Sequence, residues 1–91
     1  MALGLAQKIK YICRMPTVLI INGFRFFFYS NEHLPIHIHV EKDNKTAKFN
    51  LDEIELVRSR GFNASELKEM RKLVLDNVEL FKNKWDEYFN N

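Results

Sequence analysis

The stretch Leu34–Val40, LPIHIHV, sets His37 and His39 one residue apart in an apolar run, with His33 just upstream. Residues i and i+2 of a strand point to the same face, so the two imidazoles stand with Cβ atoms about 7 Å apart. Three uses fit that spacing. The first is acid–base work on a phosphodiester, in which one histidine takes a proton from a ribose 2′-hydroxyl and the other protonates the leaving 5′-oxygen. Imidazole suits both roles because its ordinary pKa lies near neutrality, and Arg25 or Lys48 would stabilise charge on the phosphorane. The second is a metal site, with His37 and His39 joined by Glu41, His33 or Glu32 as a third ligand. The third is structural: half-buried histidines hydrogen-bonded to neighbours or facing a partner protein.

These residues need a sheet to hold them. Thr17–Ile21 and Phe24–Ser30 are β-branched and aromatic runs separated by Asn22-Gly23, a strong hairpin signal. A two-residue loop places Ile21 opposite Phe24, Leu19 opposite Phe26 and Thr17 opposite Phe28. One face then carries Thr17, Leu19, Ile21, Phe24, Phe26 and Phe28, an apolar slab; Val18, Ile20, Arg25, Phe27 and Tyr29 lie on the other. Pro35 opens a third strand, with His37, His39 and Glu41 outward and Ile38 and Val40 inward. Lys42–Lys45 is a polar turn, and Thr46–Leu51 a fourth strand with Ala47, Phe49 and Leu51 inward. The outward face gathers Arg25, Tyr29, His37, His39, Glu41, Lys48 and Asn50.

Two helices are expected next. Asp52 and Glu55 have capping-box spacing, Leu51 and Leu56 form a hydrophobic staple, and Gly61 is placed to stop a short helix. Asn63 with Glu66 repeats the box, and Leu67, Met70, Val74, Val78, Phe81, Trp85 and Tyr88 form the core stripe of a long C-terminal helix. A helix of about 25 residues spans about 40 Å, twice the length of a six-residue strand. Either it breaks near Asn77 or Asn83, or its aromatic end packs on the N-terminal segment or a second subunit. A homodimer through the C-terminal helix is therefore expected.

The 91 residues make one domain, and eight Phe imply an aromatic core. One cysteine, Cys13, excludes an internal disulfide and a cysteine-only metal site. No apolar run approaches the roughly 20 residues that cross a bilayer, and Lys8 and Lys10 interrupt any leader-like N-terminal stretch, so a cytoplasmic protein is expected. Glycine-rich phosphate loops and signalled serine or cysteine nucleophiles are absent. The net charge of +2 is uneven: residues 1–51 hold seven Lys/Arg against three Asp/Glu. That excess in the sheet half permits an anionic partner. Lys68, Arg71 and Lys72 alternate with Glu66 and Glu69 and read as a solvated helix face.

Several blocks occur together in order: MPTVL at Met15–Leu19, NGFRFFFYSNEH at Asn22–His33, PIHIHVE at Pro35–Glu41, AKFNLDEIEL at Ala47–Leu56 and SRGFNASELKEMRKLV at Ser59–Val74. In these the chain resembles the small bacterial domain of unknown function 4160 family over residues 15–89. The family's Pro-x-His-x-His-Val block maps to Pro35, His37, His39 and Val40, its Phe-Phe-Tyr-Ser run to Phe27–Ser30, and His33 falls in a looser part. The resemblance implies a component of a toxin–antitoxin module, partnered by the product of a neighbouring small gene, but no catalytic residue. Residues 1–14 precede the family pattern and are expected to be an atypical extension.

The expectation is thus an α+β domain over residues 15–91: a four-stranded antiparallel meander with a short helix and a long C-terminal helix on its apolar face. It acts on RNA, with His37 and His39 as acid–base pair and Arg25, Tyr29, Lys48 and Asn50 as binding residues, and without a cofactor. The metal alternative is His37, His39 and Glu41. The competing reading is a non-enzymatic module, antitoxin-like or adaptor, that binds protein through the same face.

Overall fold

Asn22 at φ 53° and Gly23 at φ 84° turn the chain through positive φ and close the first hairpin, as a two-residue loop demands. They join β1 (Thr17–Ile21) to β2 (Phe24–Phe27) in the computed structural model, which describes residues 17–89. The extension expected over residues 1–14 lies outside the described residues. A second tight turn, with Asp43 at φ 57°, links β3 (His37–Lys42) to β4 (Lys45–Asn50). Then come β5 (Glu55–Arg60), α1 (Ala64–Asp76) and α2 (Val78–Phe89). All five strands form one antiparallel sheet in sequence order. The fold is α+β as expected, with one strand more and one short helix fewer.

The inward alternation of β2, β3 and β4 is realised. Phe24, Phe26, Phe28, Ile38, Val40, Phe49 and Leu51 are buried with Met70, Val74, Phe81 and Trp85 from the helices in one core. Ile21 pairs with Phe24 and Leu19 with Phe26, but Thr17 pairs with Phe27, not Phe28. An irregularity between Thr17 and Leu19 shifts the register there, as an extra residue in one strand does.

Residues 55–60 are a strand, where a short helix was expected. All six are exposed, so a helix here would have no buried face to stabilise it, and short helices are marginal in water. Pairing with the outer edge of β4 satisfies the backbone instead. The cap-like residue Asp52 forms an ion pair with Lys82 at 3.0 Å. Gly61, at φ 90°, turns the chain into α1 and packs where a Cβ would lie 2.8 Å from Lys45 Cγ. The second capping box is real: Asn63 Oδ1 accepts from the Glu66 N–H at 2.8 Å, and Glu66 Oε1 accepts from the Asn63 N–H at 3.0 Å.

The long helix breaks at Asn77. Its side-chain amide and backbone N–H both donate to the Leu73 carbonyl, at 2.8 and 3.1 Å, crowding the ladder and opening a kink. The break lets α2 turn its aromatic end onto its own chain. Trp85 meets Phe28 edge-on at 5.5 Å and Phe89 packs on both rings. Of the aromatic end that suggested a second subunit, Phe81 and Trp85 are buried within the chain and Tyr88 stays 49% exposed.

Candidate functional site

The helices cover one face of the sheet, and cross-strand pairing lines up the side chains of the other in three rows. Arg25, Glu41, Thr46 and Arg60 form the first, Phe27, His39, Lys48 and Arg58 the second, and His37, Asn50 and Glu55 the third. The expected binding residues all belong here. Arg25 pairs with Glu41 at 3.1 Å and lies over the Phe27 ring at 4.3 Å. Tyr29 meets the His39 ring edge-on at 4.5 Å. Lys48 is the cross-strand neighbour of His39, and Asn50 that of His37. His33 is exposed and stands apart. Glu41, the third ligand of the metal alternative, is engaged by Arg25.

The histidines share this face yet are not open to solvent: His37 is 3% exposed and His39 8%. What covers them comes from other elements. Trp85 of α2 lies 5.2 Å from the His37 ring, and Phe27 and Tyr29 flank His39. Glu32, from the loop between β2 and β3, inserts its carboxylate between both imidazoles. Oε1 lies 2.7 Å from His37 Nε2, and Oε2 lies 2.9 Å from His39 Nε2.

The hydrogen bonds assign the protons. His37 Nδ1 lies 2.8 Å from the Pro35 carbonyl, which only accepts, so Nδ1 carries a hydrogen; Nε2 is hydrogen-bonded to Glu32 Oε1 at 2.7 Å, and a second proton lies between those two atoms. The Tyr29 backbone N–H donates to Glu32 Oε2 at 2.8 Å and fixes the carboxylate. His39 Nε2 is fully buried, close to that same oxygen, but not aligned for a hydrogen bond. Burial pushes the His39 imidazole down from 6.5 to about 4; Glu32 opposes the shift, and His37 and Lys48 add to it. At neutral pH His39 therefore carries no charge. It is equipped to accept a proton or a ligand bond, not to act as an acid.

The family model for a domain of unknown function, DUF4160, matches residues 23–86, more than half of the chain and all of β2 through most of α2. The chain belongs to the DUF4160 family. No curated protein and no solved structure gives a match. In this DUF4160 chain the matched segment contains the whole Glu32–His37–His39 cluster and the three rows around it. No helix among the described residues is long and apolar enough to cross a membrane.

Sequence reasoning missed two parts of this DUF4160 site. Arg58 and Arg60 reach the open face only because residues 55–60 are a strand. Their i, i+2 spacing was the available signal. Trp85 closes over His37 from the far end of the chain, and no local pattern announces that.

Proposed function

We propose that this chain is the RNA-binding component of a toxin–antitoxin module and holds single-stranded RNA across its open sheet face without cleaving it. One observation carries the reading. Lys48, Arg58 and Arg60 lie on adjacent rows of that face beside Tyr29, and none of the three forms an ion pair among the described residues. Cations spaced along a sheet track a phosphate backbone, and an exposed aromatic offers a base a stacking surface. The depth of His37 and His39, and the neutral state of His39, argue against acid–base turnover at the pair. The toxin–antitoxin context comes from the family resemblance.

The test is fluorescence anisotropy with a labelled single-stranded RNA of about a dozen nucleotides, one long enough to span several rows. Charge reversal at Lys48→Glu with Arg58→Glu should weaken binding at least about tenfold and flatten its salt dependence, since each lost phosphate contact removes about 0.7 from the log–log slope. RNA recovered from the wild-type complex should be intact. Binding that ignores the reversal, or cleavage that His37→Ala abolishes, would overturn the reading.

A second reading has its own observation. β5 is an edge strand, Leu56 and Val57 are 37% and 46% exposed, and among the described residues no strand pairs with its free edge. Such an edge is a template for strand addition by a partner, for which the product of a neighbouring small gene is the candidate. Co-purification that Val57→Pro abolishes would support it.

A further inference from the structure

We propose that Glu32, His37 and His39 form a mononuclear site for a divalent transition-metal ion of the zinc class. One carboxylate oxygen and two imidazole nitrogens, one from each residue, all lie within 4.8 Å of one another. Zinc bound at about 2.0–2.1 Å in a tetrahedral shell holds its ligand atoms about 3.3 Å apart. The 2.7 and 2.9 Å contacts are made by different oxygens of Glu32, so an ion held by one of them opens that contact by about half an ångström and draws the widest pair, within 4.8 Å, in by up to about 1.5 Å. Rotation of the carboxylate and of the imidazoles about their terminal torsions supplies that.

Three details separate this cluster from an ordinary buried ion pair. His37 donates Nδ1–H to the Pro35 carbonyl, the outer contact that fixes a metal-binding imidazole; the ion would displace to solvent the proton that Nε2 shares with Glu32 Oε1. The Tyr29 backbone N–H holds the carboxylate by Oε2, a second contact of the same kind. The third is His39 Nε2, buried and without a hydrogen bond although a carboxylate oxygen is 2.9 Å away. A buried nitrogen left unsatisfied destabilises the fold; a metal bond would satisfy it. The donor set, two nitrogens and one oxygen with no thiolate, suits zinc. His39 and Tyr29 also line a recess on the open face with Phe27, Thr46 and Arg58, the side from which water could fill the fourth position. Burial on the other sides leaves little room for the three open positions of an iron facial triad.

The site is independent of the RNA reading, and so is its test. Untagged full-length protein is stripped with a chelator and titrated with zinc chloride in a calorimeter. A parallel sample takes cobalt(II) and is read by visible absorption. The result expected is one ion per chain and the intense bands of tetrahedral cobalt. Glu32→Gln and His39→Ala should each weaken zinc at least about 100-fold, more than the loss of an outer contact, with far-UV circular dichroism unchanged. His33→Ala, at the exposed histidine, should leave affinity as it was. Absence of stoichiometric zinc binding, cobalt bands of octahedral type, or equal loss in His33→Ala would each overturn the proposal. The cobalt spectrum is read on the wild type, so it decides the question even where a variant misfolds.

Discussion

On the helix-covered face, Phe24, Phe26, Ile38 and Val40 lose all exposure to water against Met70, Val74 and Phe81. On the open face, one position along the same strand, His37 and His39 are buried almost as deeply beneath one loop carboxylate and a few rings. The two burials differ in kind. Apolar area removed from water stabilises at roughly 25 cal/mol per Å², so the first face drives folding. Polar groups removed from water destabilise unless their partners are complete, and His39 Nε2 lacks one. The helix-covered face makes the fold; the open face is carried by it. A chain of this size has about 5–14 kcal/mol of stability in all, enough to tolerate one such polar cluster.

The largest expected effect breaks the first face. Phe26 is fully buried, pairs with Leu19 and Val40 across its neighbours, and stacks 5.1 Å from Phe81. Phe26→Ala should cost about 3–5 kcal/mol, read as a fall in the urea midpoint with the slope unchanged. Lys48→Ala on the opposite face should stay within about 0.5 kcal/mol. Comparable losses at both positions would remove the distinction between a face that folds and a face that is carried.

A smaller effect of opposite sign tests the second face. Deleting a buried polar atom that has no hydrogen-bond partner removes its desolvation cost without orphaning another group. His39→Phe keeps a flat ring against Phe27 and Tyr29 and leaves Glu32 its contacts with His37 and the Tyr29 N–H. It should raise stability by about 1 kcal/mol in the metal-free protein. A loss of similar size would mean that the imidazole serves the fold rather than a ligand.

The same contrast explains what could be read from the sequence. Period-two alternation through Phe24–Phe27, His37–Val40 and Thr46–Leu51 sorts inward from outward residues correctly, because each strand's two faces meet different surroundings. The Asn63–Glu66 box and the break at Asn77 are likewise local. Residues 55–60 are not legible this way. Their pairing with β4 is a gain made between distant segments, while Asp52, Glu55 and Gly61 imitate helix signals that nothing buried supports. That the two histidines act together is local, a matter of i, i+2 spacing. That they are buried, and that Glu32 rather than Glu41 meets both, depends on how a loop and Trp85 fold over them.

The smallest effect concerns how the first face handles charge. Lys45 Nζ lies 2.7 Å from Glu66 Oε2, tying the start of β4 to the first turn of α1 at the rim, where water still reaches both. The hydrogen bond from Lys45, then that from the Asn63 backbone, holds the Glu66 carboxyl below its ordinary 4.5. A carboxyl whose pKa is lower folded than unfolded adds stability that is complete above 4.5 and fades as pH falls beneath it. Glu66→Gln keeps an acceptor for the capping box but loses the charge. The midpoint difference between wild type and variant should therefore be visible at pH 7 and shrink steadily below pH 4.5. A difference independent of pH would place the contribution in the cap alone. On this face charge stays at the wet rim and titrates cheaply; among the described residues it is the open face that takes ionisable groups inside.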